Sequence, residues 1–280
     1  MNINGYVDRL VSRAAAALGE PEACDYIADG LLHCGRCHTP KQCRVILNDE
    51  ERLVRCQCRC DAEQEAAERE DAKEKQLRIN VKRLRETGVT DRSLRGCSFD
   101  AAEMTPELEK CRRYAENWST MVEQNTGLLL WGGTGNGKTF AAACIANALI
   151  EHGKSAVMTS IPRILAAGFE EQADSMDRMR RCSLLVIDDL GAERSSDYAL
   201  ERVYYIIDER YKAKRPLIVT TNLTLKQFYA PPDMRYQRIY DRVLEMCVPM
   251  KFAGESIRRQ RAAKNLEWAK QFLDGKVGVE

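Results

Sequence analysis

No apolar run in the 280-residue chain approaches the roughly 18 residues needed to cross a bilayer, which excludes a helical membrane span. Net charge is also nearly absent, at +1, so bulk charge argues neither for nor against nucleic acid, and any such contact must come from local basic patches. The opening stretch, MNINGYVDRLVSRAAAALGE, lacks a basic region followed by an apolar core, so no secretory signal is read there. A cytoplasmic location is expected, which argues against disulfides among the 12 cysteines. No repeat or low-complexity tract is present. The hydrophobic content of 44% suffices for one large core with a small appended unit.

Residues 132–139 read Gly132-Gly133-Thr134-Gly135-Asn136-Gly137-Lys138-Thr139, a complete phosphate-binding loop of the form G-x-x-x-x-G-K-[ST]. The apolar run Leu128-Leu129-Leu130-Trp131 before it reads as a buried strand, and Phe140–Ile150 after it as a helix. Glycines let the backbone turn its N–H groups toward phosphates at a helix N-terminus that already favours anions. Lys138 is expected to reach the β- and γ-phosphates of a nucleoside triphosphate, and the Thr139 hydroxyl to help hold magnesium.

A second apolar strand, Leu184-Leu185-Val186-Ile187, ends in Asp188-Asp189. A phosphate-loop NTPase needs a carboxylate there for magnesium, assigned to Asp188, while Asp189 can orient or deprotonate the attacking water. The strand Leu217-Ile218-Val219-Thr220-Thr221 ends at Asn222, which can bond the γ-phosphate or the water if that strand lies beside the first. Further strands are expected at Ser155–Thr159 and Cys247–Phe252, and helices at Thr105–Glu123, with Thr105 as cap and Pro106 in the first turn, and Ser196–Lys214. Strands alternating with helices predict an α/β fold with a mostly parallel sheet sandwiched by helices. Downstream arginines, Arg235, Arg238 and Arg242, then Arg258, Arg259 and Arg261, are read either as charge compensators for phosphoryl transfer or as ordinary surface residues.

Seven cysteines crowd into Cys24–Cys60, whereas Cys97, Cys111, Cys144, Cys182 and Cys247 stand singly and read as reduced, small apolar residues. Cys34-Gly35-Arg36-Cys37 is a C-x-x-C knuckle, and Cys56, Cys58 and Cys60 follow about twenty residues on, with strand-like Arg44–Leu47 and Arg52–Val54 between. This spacing predicts a structural zinc ribbon on Cys34, Cys37, Cys58 and Cys60, with Cys56 as the substitute for either of the last two. Cys43, His33 and His38 are further candidates. Ahead of the knuckle, Val7, Leu10, Val11, Ala14, Ala15 and Leu18 share one face of an expected helix over residues 5–18. The densely charged stretch Asp61–Glu86 reads as a solvated helical linker broken by Gly88. The domains expected are thus 1–60 (helix plus zinc module), 61–89 (linker) and 90–280 (ATPase).

The loop GGTGNGKT, the strands LLVIDD and VTTN, and the block QRIYDRVLEM together resemble bacterial and phage replicative helicase loaders. These form the DnaC-like branch of the AAA+ ATPases and share their fold with the IstB transposition helpers. The resemblance covers about residues 90–270 and implies a P-loop AAA+ sheet with a small N-terminal helical and zinc-ribbon domain. It implies that Asn222 is a sensor, that Arg238 is an arginine finger acting in trans, and that Arg258, with Arg259 adjacent, is the second sensor. Asp188-Asp189 stands where most AAA+ proteins carry Asp-Glu; the shorter second carboxylate implies slow or partner-stimulated hydrolysis. The implied activity is ATP-dependent loading of a DnaB-type helicase onto single-stranded DNA in the primosome, with self-association through the AAA+ domains, and with ATP, magnesium and zinc as cofactors. The alternative is an IstB-like helper binding duplex DNA and a transposase. A small-molecule phosphotransferase would leave Asn222, Arg238 and the zinc ribbon unexplained, and a nucleotide-locked zinc adaptor would leave the intact Lys138, Thr139 and acid pair without a purpose.

Overall fold

A computed structural model of the chain describes residues 22–47, 50–166, 169–191 and 197–274. The helix expected over residues 5–18 lies outside them. The chain forms two units, Met1–Arg78 and Ile79–Glu280.

In the first unit, β1 (Tyr26–Ala28) and β2 (Leu31–His33) form an antiparallel hairpin. Its two-residue turn, Asp29-Gly30, has positive φ at both positions (50° and 71°), as a tight hairpin with right-handed strand twist requires. A second hairpin pairs β3 (Gln42–Leu47) with β4 (Glu50–Arg55) in the register Gln42↔Arg55 to Leu47↔Glu50. Helix α1 (Arg59–Gly88) follows, and the division between the units falls inside it. Its first unit's share is polar all round and laced with exposed pairs one turn apart, such as Lys75–Asp71 and Arg78–Glu74. Among the described residues of this unit, Cys34 and Cys58 are the only buried hydrophobic side chains. The described residues of the unit therefore bury almost no apolar core.

The second unit is a five-stranded, wholly parallel sheet in the order β6-β7-β8-β5-β9. Its strands are β5 (Gly127–Trp131), β6 (Ala156–Ser160), β7 (Leu184–Leu190), β8 (Leu217–Thr221) and β9 (Cys247–Lys251). Side chains alternate along each strand, so one continuous apolar run feeds two cores. Leu128, Leu130, Val186 and Ile218 face α2 (Pro106–Glu116), α3 (Trp118–Glu123) and α4 (Lys138–Glu151). Leu129, Leu185, Ile187 and Val219 face α5 (Ile161–Ala166), α6 (Phe169–Arg181), α7 (Asp197–Lys212), α8 (Leu225–Tyr229) and α9 (Met234–Met246). The last helix is α10 (Ile257–Leu273). The sequence suggested one helix over 105–123; the structure breaks it at Asn117, whose side-chain amide caps the Arg113 carbonyl at 2.8 Å. Among the described residues, no helix is long and apolar enough to cross a membrane.

One charged side chain belongs to the core. Arg210 of α7 is fully buried (0% exposed) and spends its guanidinium on main-chain carbonyls. Nη1 donates to Cys182 at 2.6 Å and to Met179 and Arg180 at the end of α6; Nη2 donates to Ser183 and Pro216, at the entries to β7 and β8. A cation at a helix C-terminus complements the helix dipole. Burial brings its pKa down to about 10, still a cation at neutral pH. Arg210→Met should cost about 3 kcal/mol or more, because several buried carbonyls lose their donor at once. Denaturant unfolding reads this directly, and a loss under about 1 kcal/mol would show that the carbonyls find other donors.

Candidate active site

The carboxyl ends of β5, β7 and β8 converge on one site. β5 runs straight into the phosphate loop, and three of its glycines have positive φ: Gly132 (144°), Gly135 (83°) and Gly137 (89°). At two of them glycine is also required by space. A Cβ on Gly132 would stand 2.2 Å from the Phe252 carbonyl oxygen, and one on Gly135 2.1 Å from the Ser256 hydroxyl. Asn136 ties the loop to the same segment, donating to the carbonyls of Phe252 (3.2 Å) and Gly254 (3.1 Å). The Ile257 N–H, opening α10, donates to the Gly135 carbonyl at 3.0 Å. Helix α4 begins behind Gly137 without a side-chain cap, so its first N–H groups stay turned toward the loop.

Lys138 is 6% exposed. Its ammonium donates to the Gly132 (2.9 Å) and Gly133 (2.6 Å) carbonyls and to Asn222 Oδ1 (2.9 Å). Burial lowers its pKa, with Asp189 and Asp188 pulling the other way and Arg258 adding to the fall. Asn222 in turn donates through Nδ2 to Asp189 Oδ1 at 2.8 Å. The Thr139 hydroxyl donates to Asp188 Oδ1 at 2.8 Å. Burial and the neighbouring Asp188 raise the Asp189 carboxyl, while Lys138 and Arg258 oppose the shift. Lys138, Thr139, Asp188, Asp189 and Asn222 thus form one polar cluster, as the adjacency of β8 and β5 allows.

The arginines separate into different environments. Arg258, in the first turn of α10, is close enough for its charge to act on both Lys138 and Asp189. Arg242 is engaged within α9's own surroundings, 2.7 Å from Asp208 and stacked over the Tyr204 ring at 4.6 Å. Arg235 pairs with Asp233, the cap of α9. Arg238 is exposed, and among the described residues its guanidinium has no hydrogen-bond or ion-pair partner. Sequence reading passed over Thr220, which bonds both acids; its only signal was a hydroxyl two places ahead of Asn222.

In the first unit, the sulfurs of Cys34, Cys37, Cys58 and Cys60 all lie within 4.8 Å of one another. Two of the separations are 3.5 Å (Cys34–Cys60) and 3.2 Å (Cys58–Cys60), near the ~3.8 Å edge of a tetrahedron with ~2.3 Å metal–sulfur bonds. The four thiols are not alike: the Thr39 hydroxyl and main-chain N–H groups bring Cys37 down to about 5, and the N–H groups of Cys37 and Arg36 lower Cys34, while burial raises Cys58 and the neighbouring Cys34 helps raise Cys60. Four soft sulfurs this close together can take a metal ion. Cys56 stands apart, its thiol on the Pro40 carbonyl at 3.5 Å. Cys43 is exposed, and His33 and His38 pack on the Tyr26 ring, with His38 Nδ1 3.2 Å from its hydroxyl.

The IstB-like ATP binding protein family matches residues 62–265. The chain belongs to that family. IstB-like proteins are P-loop ATPases of the AAA+ class, so the nucleotide of this loop is ATP. This IstB-like chain is 28% identical over 159 residues to the replicative helicase loader DnaC of Escherichia coli (strain K12), covering 52% of this chain and 62% of that protein. It is 26% identical over 147 residues to the replicative helicase loader DnaI of Bacillus subtilis (strain 168), covering 47% of each. The chain therefore spans less than two thirds of the length of these relatives. A crystal structure of the DnaC helicase loader superimposes with a TM-score of 0.50 at 23% identity, over 58% of this chain and 100% of that one, and shares the AAA+ fold.

Proposed function

We propose that this IstB-like chain is an ATP-dependent loader that places a DnaB-type replicative helicase on single-stranded DNA. The observation that carries the reading is the polar chain from Lys138 through Asn222 to Asp189, which links the phosphate loop to the ends of two other strands in a domain similar to DnaC and DnaI. In this reading the N–H groups of Gly132–Thr139 and the Lys138 ammonium bind the β- and γ-phosphates. Thr139 and Asp188 hold magnesium, which supplies positive charge at the phosphate oxygens. Asp189 orients the attacking water, Asn222 bonds the γ-phosphate, and Arg258 adds charge from within the chain. Arg238, exposed and unpaired among the described residues, reaches a neighbouring copy's ATP. Zinc on Cys34, Cys37, Cys58 and Cys60 holds the module of residues 1–60 in shape to grip the helicase. Residues 61–89 space that grip from the ATPase of residues 90–280, in a cytoplasmic protein.

Capture of the replicative helicase by the full chain, with and without ATP, tests the reading. No capture under any nucleotide condition would favour an IstB-like helper acting on duplex DNA. Arg238→Ala should leave ATP binding near normal and lower assembly-dependent hydrolysis by about 10³-fold, the usual worth of an arginine supplied in trans. Normal hydrolysis by the variant under DNA-stimulated conditions would remove Arg238 from that role.

A further inference from the structure

We infer that Thr220 is the positioning residue that aims both acids of the site, an assignment that rests on the ATPase reading above. The ladder between β7 and β8 pairs Ile187 with Val219 and next pairs Leu190 with Thr221. Between those two pairs, Asp188 and Asp189 stand opposite a single residue, Thr220. This is a bulge in a parallel sheet, and it changes what the two acids can do. In a regular strand, successive side chains point to opposite faces, so adjacent aspartates would diverge. The extra residue and the left-handed backbone at Asp189 (φ 59°) bring the second carboxylate round to Asn222 and into the field of Lys138.

A bulge gives up regular ladder bonds, and here a side chain takes their place. Thr220 is 1% exposed. Its hydroxyl donates to Asp188 Oδ1 at 2.6 Å and accepts the Asp189 N–H at 2.9 Å. A hydroxyl has one proton to give, so donating it to Asp188 leaves its lone pairs for the Asp189 amide, and the two bonds fix each other's direction. Asp188 Oδ1 receives the Thr139 proton as well, which locks that carboxylate's rotation between α4 and β8. One hydroxyl thereby sets the carboxylate assigned to magnesium and the backbone of the carboxylate assigned to the water. Thr221 does not share the role: its hydroxyl donates to the Leu190 carbonyl at 2.6 Å.

The test compares Thr220→Val and Thr220→Ser in the full chain, reading ATP turnover and the magnesium dependence of fluorescent ATP-analogue binding. Thr220→Val keeps the shape and loses the hydroxyl. It should lower kcat by about 10- to 100-fold and raise the magnesium concentration at half-saturation about tenfold, the scale seen when outer-shell partners of metal ligands are removed. Analogue affinity without magnesium and KM for ATP should stay within about threefold. Thr220→Ser should restore all of these. Wild-type kcat and magnesium response in Thr220→Val, or a serine variant as impaired as the valine one, would overturn the assignment. Should Thr220→Val not fold, Thr220→Ala is read in its place. A wild-type chain that binds magnesium and nucleotide without turnover would sink the ATPase reading, and the magnesium response of the variants would still decide the role of Thr220.

Discussion

Exchanging Lys138 for alanine is expected to lower kcat/KM for ATP by about 10²- to 10³-fold, the cost of removing one pre-aimed charge from a water-poor site. The argument starts from burial. Only 6% of Lys138 is exposed, so its ammonium is held by fixed oxygens rather than by water. Those oxygens, from Gly132, Gly133 and Asn222, lie 2.6–2.9 Å away and belong to two different strand ends. Alanine would remove the cation proposed to meet the phosphates and also the donor that connects the loop to Asn222, and through it to Asp189. Arginine should not rescue the variant, because a planar fork does not fit where a point charge bonds three oxygens. Steady-state turnover, with a melting curve to confirm folding, measures the effect; unaltered turnover would refute the phosphate-binding role.

The second large effect concerns the cysteine centre. Removing the proposed zinc, by chelation or by Cys34→Ser, should unfold the hairpins β1–β2 and β3–β4 and leave the sheet of the second unit intact. Cys34 and Cys58 are the only buried hydrophobic side chains among the described residues of the first unit, so the hairpins described there have little apolar burial to hold them. A structural zinc supplies about 10 kcal/mol or more of folding free energy in such small modules, far above what exposed pairs such as Arg44–Glu51 contribute. Metal analysis should find one zinc per chain. After chelation, hydrogen exchange should rise across β1–β4 while the amides of β5, β7 and β8 stay protected. Unchanged exchange in the hairpins after complete metal loss would show that the centre is not what folds them.

Much of the nucleotide site was legible because its residues are consecutive. The phosphate loop announces itself in eight residues flanked by an apolar run and an alanine-rich helix, and Asp188 and Asn222 each follow directly on a strand-like run. What could not be read depends on tertiary register. Spacing in Cys56-Gln57-Cys58-Arg59-Cys60 offers three sulfurs for two places; the structure separates them because Cys56 follows the end of β4 and faces the Pro40 carbonyl, while Cys58 and Cys60 meet the knuckle as α1 begins. The part played by Thr220 follows from a one-residue slip between two strands, which leaves no trace in composition or period. The helices at 161–166 and 169–181 went unassigned, since the second is charged along most of its length and buries Met179 and little else that is described. Arg210 sits in a helix recognised by its apolar residues, and nothing in the pattern distinguishes a core arginine from a solvated one.

The contacts between the phosphate loop and the chain after β9 set limits on how this protein can be altered. Asn136 and the Gly254 carbonyl it bonds are 118 positions apart, and in the same loop Gly132 and Gly135 are walled by the Phe252 carbonyl and the Ser256 side chain. A residue inserted or deleted between β9 and α10 would shift that wall against a loop with no slack to follow, so the connector's length is as constrained as the glycines themselves. Tags, splice points and domain fusions placed there would act as lesions of the nucleotide site, although the connector looks, by position, like a harmless surface join.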